Sequence, residues 1–326
     1  MVIKSNSQFQ VRDFVSVFKA YSDETRLRIV HILSYGPLNV NEIVEVLEMG
    51  QSRISRHLKI LVDAGILSAN REGSWVYYRI SNFSELEFPS QLTEILLSYK
   101  DRMNDFVNDV KKIELIQKNR IHRNKTYFNT IAENFDKIQE KVFHPSVYRE
   151  KILDYIPGNK GTILDLGCGP GGLISDLSKI SEKVIGIDIS NKMIATAREK
   201  NKSNKKASFI ESKLEEIPLK SQSASAVVAS MVLHHVSNPP LLIQEAERLL
   251  SKNGVFCLVD LLKHNKEFMR ELYSDLWLGF EPDQLKVWLE EAGFDIKQID
   301  QVKTQTNFTI LTIKAVKKGG LNVRKK

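Results

Sequence analysis

The stretch LDLGCGPGG, residues 164–172, reads as a strand end, a tight turn and the entry to a helix, with glycines at 167, 169 and 172 spaced G-x-G-x-x-G. That spacing lets the backbone turn sharply, and its usual occupant is a dinucleotide pyrophosphate resting on the helix N-terminus. Asp165 argues for another ligand. A carboxylate two residues ahead of the first glycine repels phosphate, and Pro170 removes one N–H donor from the loop. S-adenosylmethionine presents a sulfonium and an α-ammonium instead, so a nearby carboxylate attracts it, while its own carboxylate can take backbone N–H groups. Glycines at 167, 169 and 171 allow close approach to the methionine part. Asp188, closing VIGID in the next strand, is placed to accept the ribose hydroxyls. NAD would use the same acid, so the discrimination rests on Asp165 and Pro170.

Outward from the loop, strands near 162–166, 183–187, 207–210, 226–230 and 254–259 alternate with helices near 172–180, 191–200, 239–250 and 282–292. Alternation of this kind predicts a mostly parallel sheet covered by helices. FDIKQIDQ and NFTILTIKAVK, towards the end, add two strands joined by a polar turn, which must pair antiparallel. The expected fold is α/β, Rossmann-like, with seven strands over residues 126–317.

Residues 9–80 follow another pattern, short helices and then a hairpin. In GQSRISRHLKILVDAGIL, Ile54, Leu58 and Leu61 form an apolar underside, and Gln51, Ser52, Arg53, Ser55, Arg56 and Lys59 occupy the opposite face. Such a helix suits the major groove: arginine forks to guanine, glutamine to adenine, and serines to phosphate. The strands ILSAN and SWVYYRI, joined through Arg71-Glu72-Gly73, would form a wing with Arg71 near the minor groove. Residues 90–118 predict one long helix whose seam, Leu92, Leu96, Tyr99, Met103, Phe106, Val110 and Ile113, has period 3.5, as in a dimer contact. The alternative is packing of that stripe on its own small domain. The polar run QKNRIHRNK (117–125) reads as a linker, giving domains at 1–118 and 126–317, a linker at 119–125 and a basic tail at 318–326.

The totals restrict the partners. The net charge of +7 is largely the tail, because residues 1–123 hold 17 Lys+Arg against 15 Asp+Glu and residues 124–316 hold 25 against 25. DNA binding must therefore be argued from local geometry rather than bulk charge. Two cysteines, Cys168 and Cys257, make neither a disulfide framework nor a thiolate metal cluster. No apolar run reaches membrane-span length and the first residues carry no apolar secretion segment, so a cytoplasmic location is expected, without membrane contact.

AYSDETRLRIVHIL, QSRISRHLKILVDAGIL and REGSWVYYRIS closely resemble the ArsR/SmtB-type winged-helix repressors over about residues 9–115. The resemblance implies a homodimer on a palindromic operator, released by an inducer. Metal-sensing members carry thiolates before the recognition helix, or Asp and His ligands in the dimer helix. Here NVNEIVEVLEM has no cysteine and residues 90–118 no histidine, so no metal inducer is expected. His57, which matches a common histidine of that family, reads as a hydrogen-bonded packing residue.

Residues 126–317 resemble the class I S-adenosylmethionine-dependent methyltransferases, particularly the small-molecule group that includes quinone-ring methylases. The matching pieces are ILDLGCGPGG, VIGIDISNKMIATAR, EEIPL, MVLHHVSNPP and LLSKNGVFCLVD. The resemblance implies that Asp165, Gly167, Cys168, Gly169 and Gly171 hold the methionine part and Asp188 the ribose. It places Ile189 and Met193 beside the adenine, with the Leu214 N–H serving the ring. Two positions depart from the pattern: Ser212-Lys213 stands where Gly-Asp is usual, and Ala224-Ser225 where Phe-Asp is usual. His234 or His235, after the fourth strand, is the candidate general base, and His264, Asp275 and Trp277 are candidates for the acceptor side or for packing. Arsenite methylation is not expected with so few cysteines. The combined expectation is a repressor whose second domain binds S-adenosylmethionine or S-adenosylhomocysteine as effector and also methylates a small molecule. The alternative is an active methyltransferase whose winged helix regulates its own expression.

Overall fold

The computed structural model describes residues 10–72, 74–81, 87–99, 106–142, 144–156, 158 and 161–319. The chain divides into two compact units, Met1–Asn119 and Arg120–Lys326.

In the first unit, α1 (Val11–Tyr21), α2 (Glu24–Leu33), α3 (Val40–Leu47) and α4 (Gln51–Asp63) precede a hairpin of β2 (Leu67–Glu72) and β3 (Trp75–Ile80). The short β1 (Leu38–Asn39) adds to β3. The α3–α4 turn is written locally. Asn39 caps α3 in a reciprocal box with Glu42, Glu48 ends it in the left-handed region at φ 54, and Gly50 starts α4. Ile54, Leu58 and Leu61 are each 0% exposed and pack on Ile29, Ile32 and Ile43. Burial of about 1.5–3 kcal/mol per large side chain fixes which face of α4 turns inward.

Two further helices, α5 (Glu87–Ser98) and α6 (Val107–Ile131), correct the expected organisation of 90–125. A single helix over 90–118 is not found: α5 ends at Ser98, whose hydroxyl bonds back to the Ile95 carbonyl, and Tyr99 lies in a turn. Met103 lies outside the described residues. Part of the period-3.5 stripe packs at home, with Ile113 buried and Leu92 and Leu96 half-buried against the same core as α4. Asp109 is 2% exposed and takes both Arg28 donors at 2.8 Å. The expected linker at 119–125 is helical and lies within α6. Its polarity belongs to an exposed helix face: His122 and Arg123 point out, Asn124 is buried, and Ile121 and Phe128 are half-buried.

In the second unit the remainder of α6 is followed by α7 (Phe135–Val142) and α8 (Ser146–Tyr155), then the sheet. Its strands are β4 (Thr162–Leu166), β5 (Lys183–Asp188), β6 (Ala207–Glu211), β7 (Ala224–Ser230), β8 (Leu250–Leu261), β9 (Phe294–Lys303) and β10 (Thr309–Lys317). They run in the order β6-β5-β4-β7-β8-β10-β9, with β10 antiparallel to both its neighbours and the other pairs parallel. Covering helices are α9 (Ile174–Ile180), α10 (Asn191–Lys200), α11 (Pro239–Leu249) and α13 (Pro282–Glu291), with the short α12 (Phe268–Tyr273) after β8. The chain winds outward from β4 through β5 to β6 and restarts at β7 on the other side. A crevice therefore opens at the carboxyl ends of β4 and β7. Among the described residues no helix is long and apolar enough to cross a membrane.

The Arg28–Asp109 pair yields a test of the first unit. Asp109→Ala leaves a partly buried guanidinium without its partner and is expected to lower stability by about 2–3 kcal/mol, less than a fully buried pair would lose. Urea unfolding of the full chain, followed by tyrosine and tryptophan fluorescence, reads the shift, and an unchanged first transition would contradict it.

Candidate functional site

The recognition-type face comes first. Gln51, Ser52, Arg53, Ser55 and Arg56 are all exposed on α4, opposite its buried stripe. Arg71 is exposed on β2, one residue pair from the wing tip, where Glu72 faces Trp75. The face thus brings two arginines, a glutamine and two serines onto the first two turns of one helix. His57 is half-buried with Nδ1 3.6 Å from Asp23 Oδ1; burial lowers its pKa below the ordinary value, against the pull of Asp23.

In the second unit, Asp165 and Asp188 stand at the carboxyl ends of the adjacent parallel strands β4 and β5, 2% and 9% exposed. The loop after β4 is sewn to β5: the N–H groups of Gly167 and Cys168 donate to the Ile187 carbonyl at 2.8 and 3.0 Å. Asp188 accepts from the Gly169 N–H at 2.9 Å through Oδ2 and from the Ser190 N–H at 2.8 Å through Oδ1. Gly167, Gly169 and Gly171 have φ of 70, 51 and 79°, a region that side chains rarely adopt. At Gly167 a Cβ would also lie 2.3 Å from Val232 Cγ2, so no other residue fits the turn without rebuilding it. Cys168 is a buried thiol with its sulfur over Gly186, and burial raises its pKa well above the ordinary value.

Electrostatics sets this pair apart. Burial, reinforced by the Asp188 charge and opposed by Arg149, raises the Asp165 pKa to about 7. Burial raises Asp188 to about 6, against the N–H groups of Ser190, Gly169 and Ile189. Two desolvated acids side by side favour an incoming cation.

A solvent-open cleft with about 730 Å³ of empty space lies beside the pair, with Asp188 in its lining. Gly167, Gly169, Asp188, Ile189, Met193 and Leu214 line it, so the structure brings six of the expected cofactor residues to one space. Asp165, Cys168 and Gly169 line an adjoining cleft with Tyr148 and Arg149. Gly171 does not line either cleft; a Cβ there would strike Asn201 and Ala197, so its role is the turn itself. Lys213 is exposed and outside the lining, whereas Glu215 is in it. Burial raises the Glu215 pKa, while its own N–H, the Lys213 charge and the Leu214 N–H pull it down. Lys125 pairs Glu211 on the outside at 2.7 Å.

Sequence reasoning missed the residues that α6 and α8 deliver. Asn124 is buried, donates to the His235 carbonyl at 2.5 Å and accepts from Ser274 at 2.8 Å. Asn129 accepts from the Ser190 hydroxyl that caps α10. Arg149 lies against the glycine loop, where a Cβ on Gly172 would sit 2.7 Å from Nη2. A helical signal existed for the first group, since Ile121, Asn124 and Phe128 are spaced 3 and 4 along α6.

A further cavity of about 470 Å³ shares Phe128, Phe135, Met231 and His235 with the first cleft. His234 and Asp275 form its polar floor, and Tyr127, Tyr273 and Met269 contribute to its walls. His234 Nδ1 is 2.7 Å from Asp260 Oδ1, and Asp260 is held by the Leu233 and Leu261 N–H groups. Nε2 lies 3.9 Å from Asp275 Oδ1. Burial alone would lower the His234 pKa, but the Asp260 and Asp275 carboxylates outweigh it and hold it near 9. Burial and the neighbouring charge push His235 well below its ordinary value. Trp277 is a packing residue, donating its indole N–H to the Val236 carbonyl at 2.8 Å. His264 stacks edge-on against Phe308 and does not line this cavity.

The molecule therefore pairs a winged helix with an α/β unit that has a nucleoside-sized cleft at its topological switch point. The description "Bacterial regulatory protein, arsR family" matches residues 23–69, and "Methyltransferase domain" matches residues 164–258. The arsenic resistance transcriptional regulator ArsR1 of Pseudomonas putida is 48% identical over 65 residues, 20% of this chain and 51% of that protein. The arsenical resistance operon repressor of Bacillus subtilis is 37% identical over 73 residues, 22% of this chain and 70% of that protein. Through its first unit the chain belongs to the arsR family of bacterial regulatory proteins. The second unit has the methyltransferase fold. The structure of a Haloferax volcanii methyltransferase with its Trm112 activator superposes with a TM-score of 0.52 at 18% identity, covering 58% of this chain and 97% of that one.

The glycine turn gives a differential test. Gly167→Ala combines a left-handed backbone with overlap on Val232 and is expected to destabilise the second unit by about 3 kcal/mol or more. Gly169→Ala meets nothing closer than 3.9 Å and should cost only the backbone strain, about 1–2 kcal/mol. Equal losses in urea denaturation would refute the contact at Val232.

Proposed function

We propose that this protein is a DNA-binding transcriptional repressor whose second unit holds S-adenosylmethionine, methylates a small molecule and reports occupancy to the operator. The observation that carries the cofactor reading is the pair of buried carboxylates, Asp165 and Asp188, beside a glycine turn that offers no phosphate cradle. Bound there, S-adenosylmethionine supplies a methyl group on a sulfonium. Asp165 would face the cationic groups, and Arg149 the methionine carboxylate, a role given in the sequence reading to backbone N–H groups alone. Asp188 retains a lone pair on each oxygen for the ribose hydroxyls. Ile189 and Met193 would flank the adenine, and the Glu215 carboxylate, in the same lining, would accept from the adenine amino group. Glu215 thereby offsets the loss of the usual acid at Lys213.

The neighbouring aromatic cavity supports transfer over binding alone. It shares walls with the nucleoside cleft, and it suits a flat, largely apolar acceptor whose polar group points to His234 and Asp275. In-line displacement asks mainly for alignment, which two adjoining pockets provide. With no ion bound, His234 is charged between two acids and acts as a hydrogen-bond donor there, not as the candidate general base of the sequence reading; an ion on Nε2 would displace that proton.

On the DNA side, Arg53 and Arg56 would read base edges, Gln51 a further base, Ser52 and Ser55 phosphates, and Arg71 the minor groove. The active species is a homodimer. Exposed Val11, Val15 and Phe18 on α1, together with Ile95, Tyr99 and Leu115, supply its contact, since Ile113 of the expected seam is already buried at home.

Four outcomes follow. Arg53→Ala and Arg56→Ala should each weaken binding to a selected operator duplex by about 10- to 100-fold, about 1–3 kcal/mol, measured by fluorescence anisotropy. Operator affinity should change when S-adenosylmethionine or S-adenosylhomocysteine is added; superimposable curves would remove the sensing role. Both carboxylates become charged as pH rises through about 6 to 7. Affinity for the cationic nucleoside should therefore rise by about 10-fold between about pH 5.5 and pH 8, and a flat calorimetric profile would contradict the charge pairing. Transfer of labelled methyl to a small molecule in extract checks turnover, and its absence with the cofactor bound would leave sensing alone.

A further inference from the structure

We propose that His234, His235 and Asp275 form a binding site for one divalent transition-metal ion at the floor of the acceptor cavity. Their ligand atoms lie within 4.8 Å of one another. Asp275 Oδ1 is 3.9 Å from His234 Nε2 and 3.8 Å from His235 Nδ1. An ion with bonds of about 2.0–2.2 Å sits between donors separated by about 3–4 Å, so the three atoms need only small rotations to converge.

The decisive feature is Asp275. It is 3% exposed, and neither carboxylate oxygen accepts a hydrogen bond. Protein interiors avoid an unsatisfied buried carboxylate, and one aimed at two imidazoles marks a missing partner. Its surroundings are built to hold a geometry. The Asp260 carboxylate accepts from His234 Nδ1 at 2.7 Å, which fixes the ring and directs Nε2 at Asp275. Asp260 is itself pinned by two backbone N–H groups, of Leu233 and Leu261. A carboxylate behind a ligating histidine is the usual support of a metal centre. His235 is held by its backbone, through Asn124, and its Nδ1 makes only a long 3.3 Å contact to the Ser274 carbonyl. That contact is easily exchanged for an ion.

Two imidazole nitrogens and one carboxylate oxygen suit zinc, iron(II), cobalt(II) or manganese(II) better than calcium, which wants oxygen alone, or copper(I), which wants thiolates. Cys168 and Cys257 are not part of the cluster. Three protein ligands leave coordination positions open towards the cavity, where Tyr127, Phe128 and Tyr273 offer flat apolar surfaces. The ion deepens the acceptor reading given above: it would hold an oxygen of a hydroxylated aromatic acceptor and favour the deprotonated form. Metal binding itself does not depend on that reading.

The test uses the full chain, stripped with a chelator and titrated with cobalt(II), whose visible absorption reports nitrogen and oxygen ligation. One cobalt(II) per chain is expected, displaced by zinc. His235→Gln and Asp275→Asn should each weaken cobalt(II) binding by about 100-fold or more, and Asp260→Asn by about 10- to 100-fold with the stoichiometry kept. Should a variant fold poorly by circular dichroism, the unsubstituted chain still decides. Zinc must then raise its thermal midpoint and give one bound ion by elemental analysis. Substoichiometric metal, or cobalt absorption that survives both ligand substitutions, would overturn the site. A parallel titration with S-adenosylmethionine separates failure here from failure of the cofactor reading.

Discussion

The hydrogen bond from the Gly169 N–H to the Asp188 carboxylate joins the turn after β4 to the end of β5, and the second unit's chemistry depends on it. It uses a phosphate-type donor of the glycine loop on the protein's own anion. It also holds Asp188 at the first cleft while the buried Asp165 lines the adjoining one, with Gly167 and Gly169 common to both. A loop occupied in this way has little to offer a pyrophosphate. The positive φ at Gly167 and the contact with Val232 keep the backbone close enough for the bond to form. Sequence, turn, burial and ligand charge are thus links of one chain of cause.

The two clefts divide the labour. The first is lined by Asp188, Ile189 and Met193. The second is aromatic above and ionic below. Phe128, Phe135, Met231 and His235 belong to both, so an occupant of one is felt in the packing of the other.

Local chemistry was legible in the sequence where the signal is local. The buried stripe of α4, the glycine turn and the strands around 162–166 and 183–187 follow from periodicity and from residues that only a turn requires. The reading missed the helix in the polar segment 119–125, although the boundary between the two units falls inside it. Residues 119–125 are polar because most of that part of α6 faces solvent, yet Asn124 and Phe128 point inward every third or fourth position. The stripe of period 3.5 reads as one helix, but it is divided between α5 and α6, and Ile113, Leu92 and Leu96 pack on their own unit's core. Arg149, which lines a cleft, and Asp260, which backs His234, arrive only through tertiary contacts, from α8 and β8. No spacing along the chain announces them. The departure at Lys213 left Glu211 and Glu215 as replacements on sequence alone, and the fold puts Glu215 in the cleft lining while Glu211 pairs with Lys125.

The claim on which the second unit's chemistry rests is that a cationic sulfur nucleoside, not a phosphorylated one, settles beside Asp165. Calorimetric titration of the full chain with S-adenosylmethionine and with NAD tests it most directly. The account predicts saturable heat with one S-adenosylmethionine per second unit and none with NAD. Saturable binding of NAD alone would contradict it.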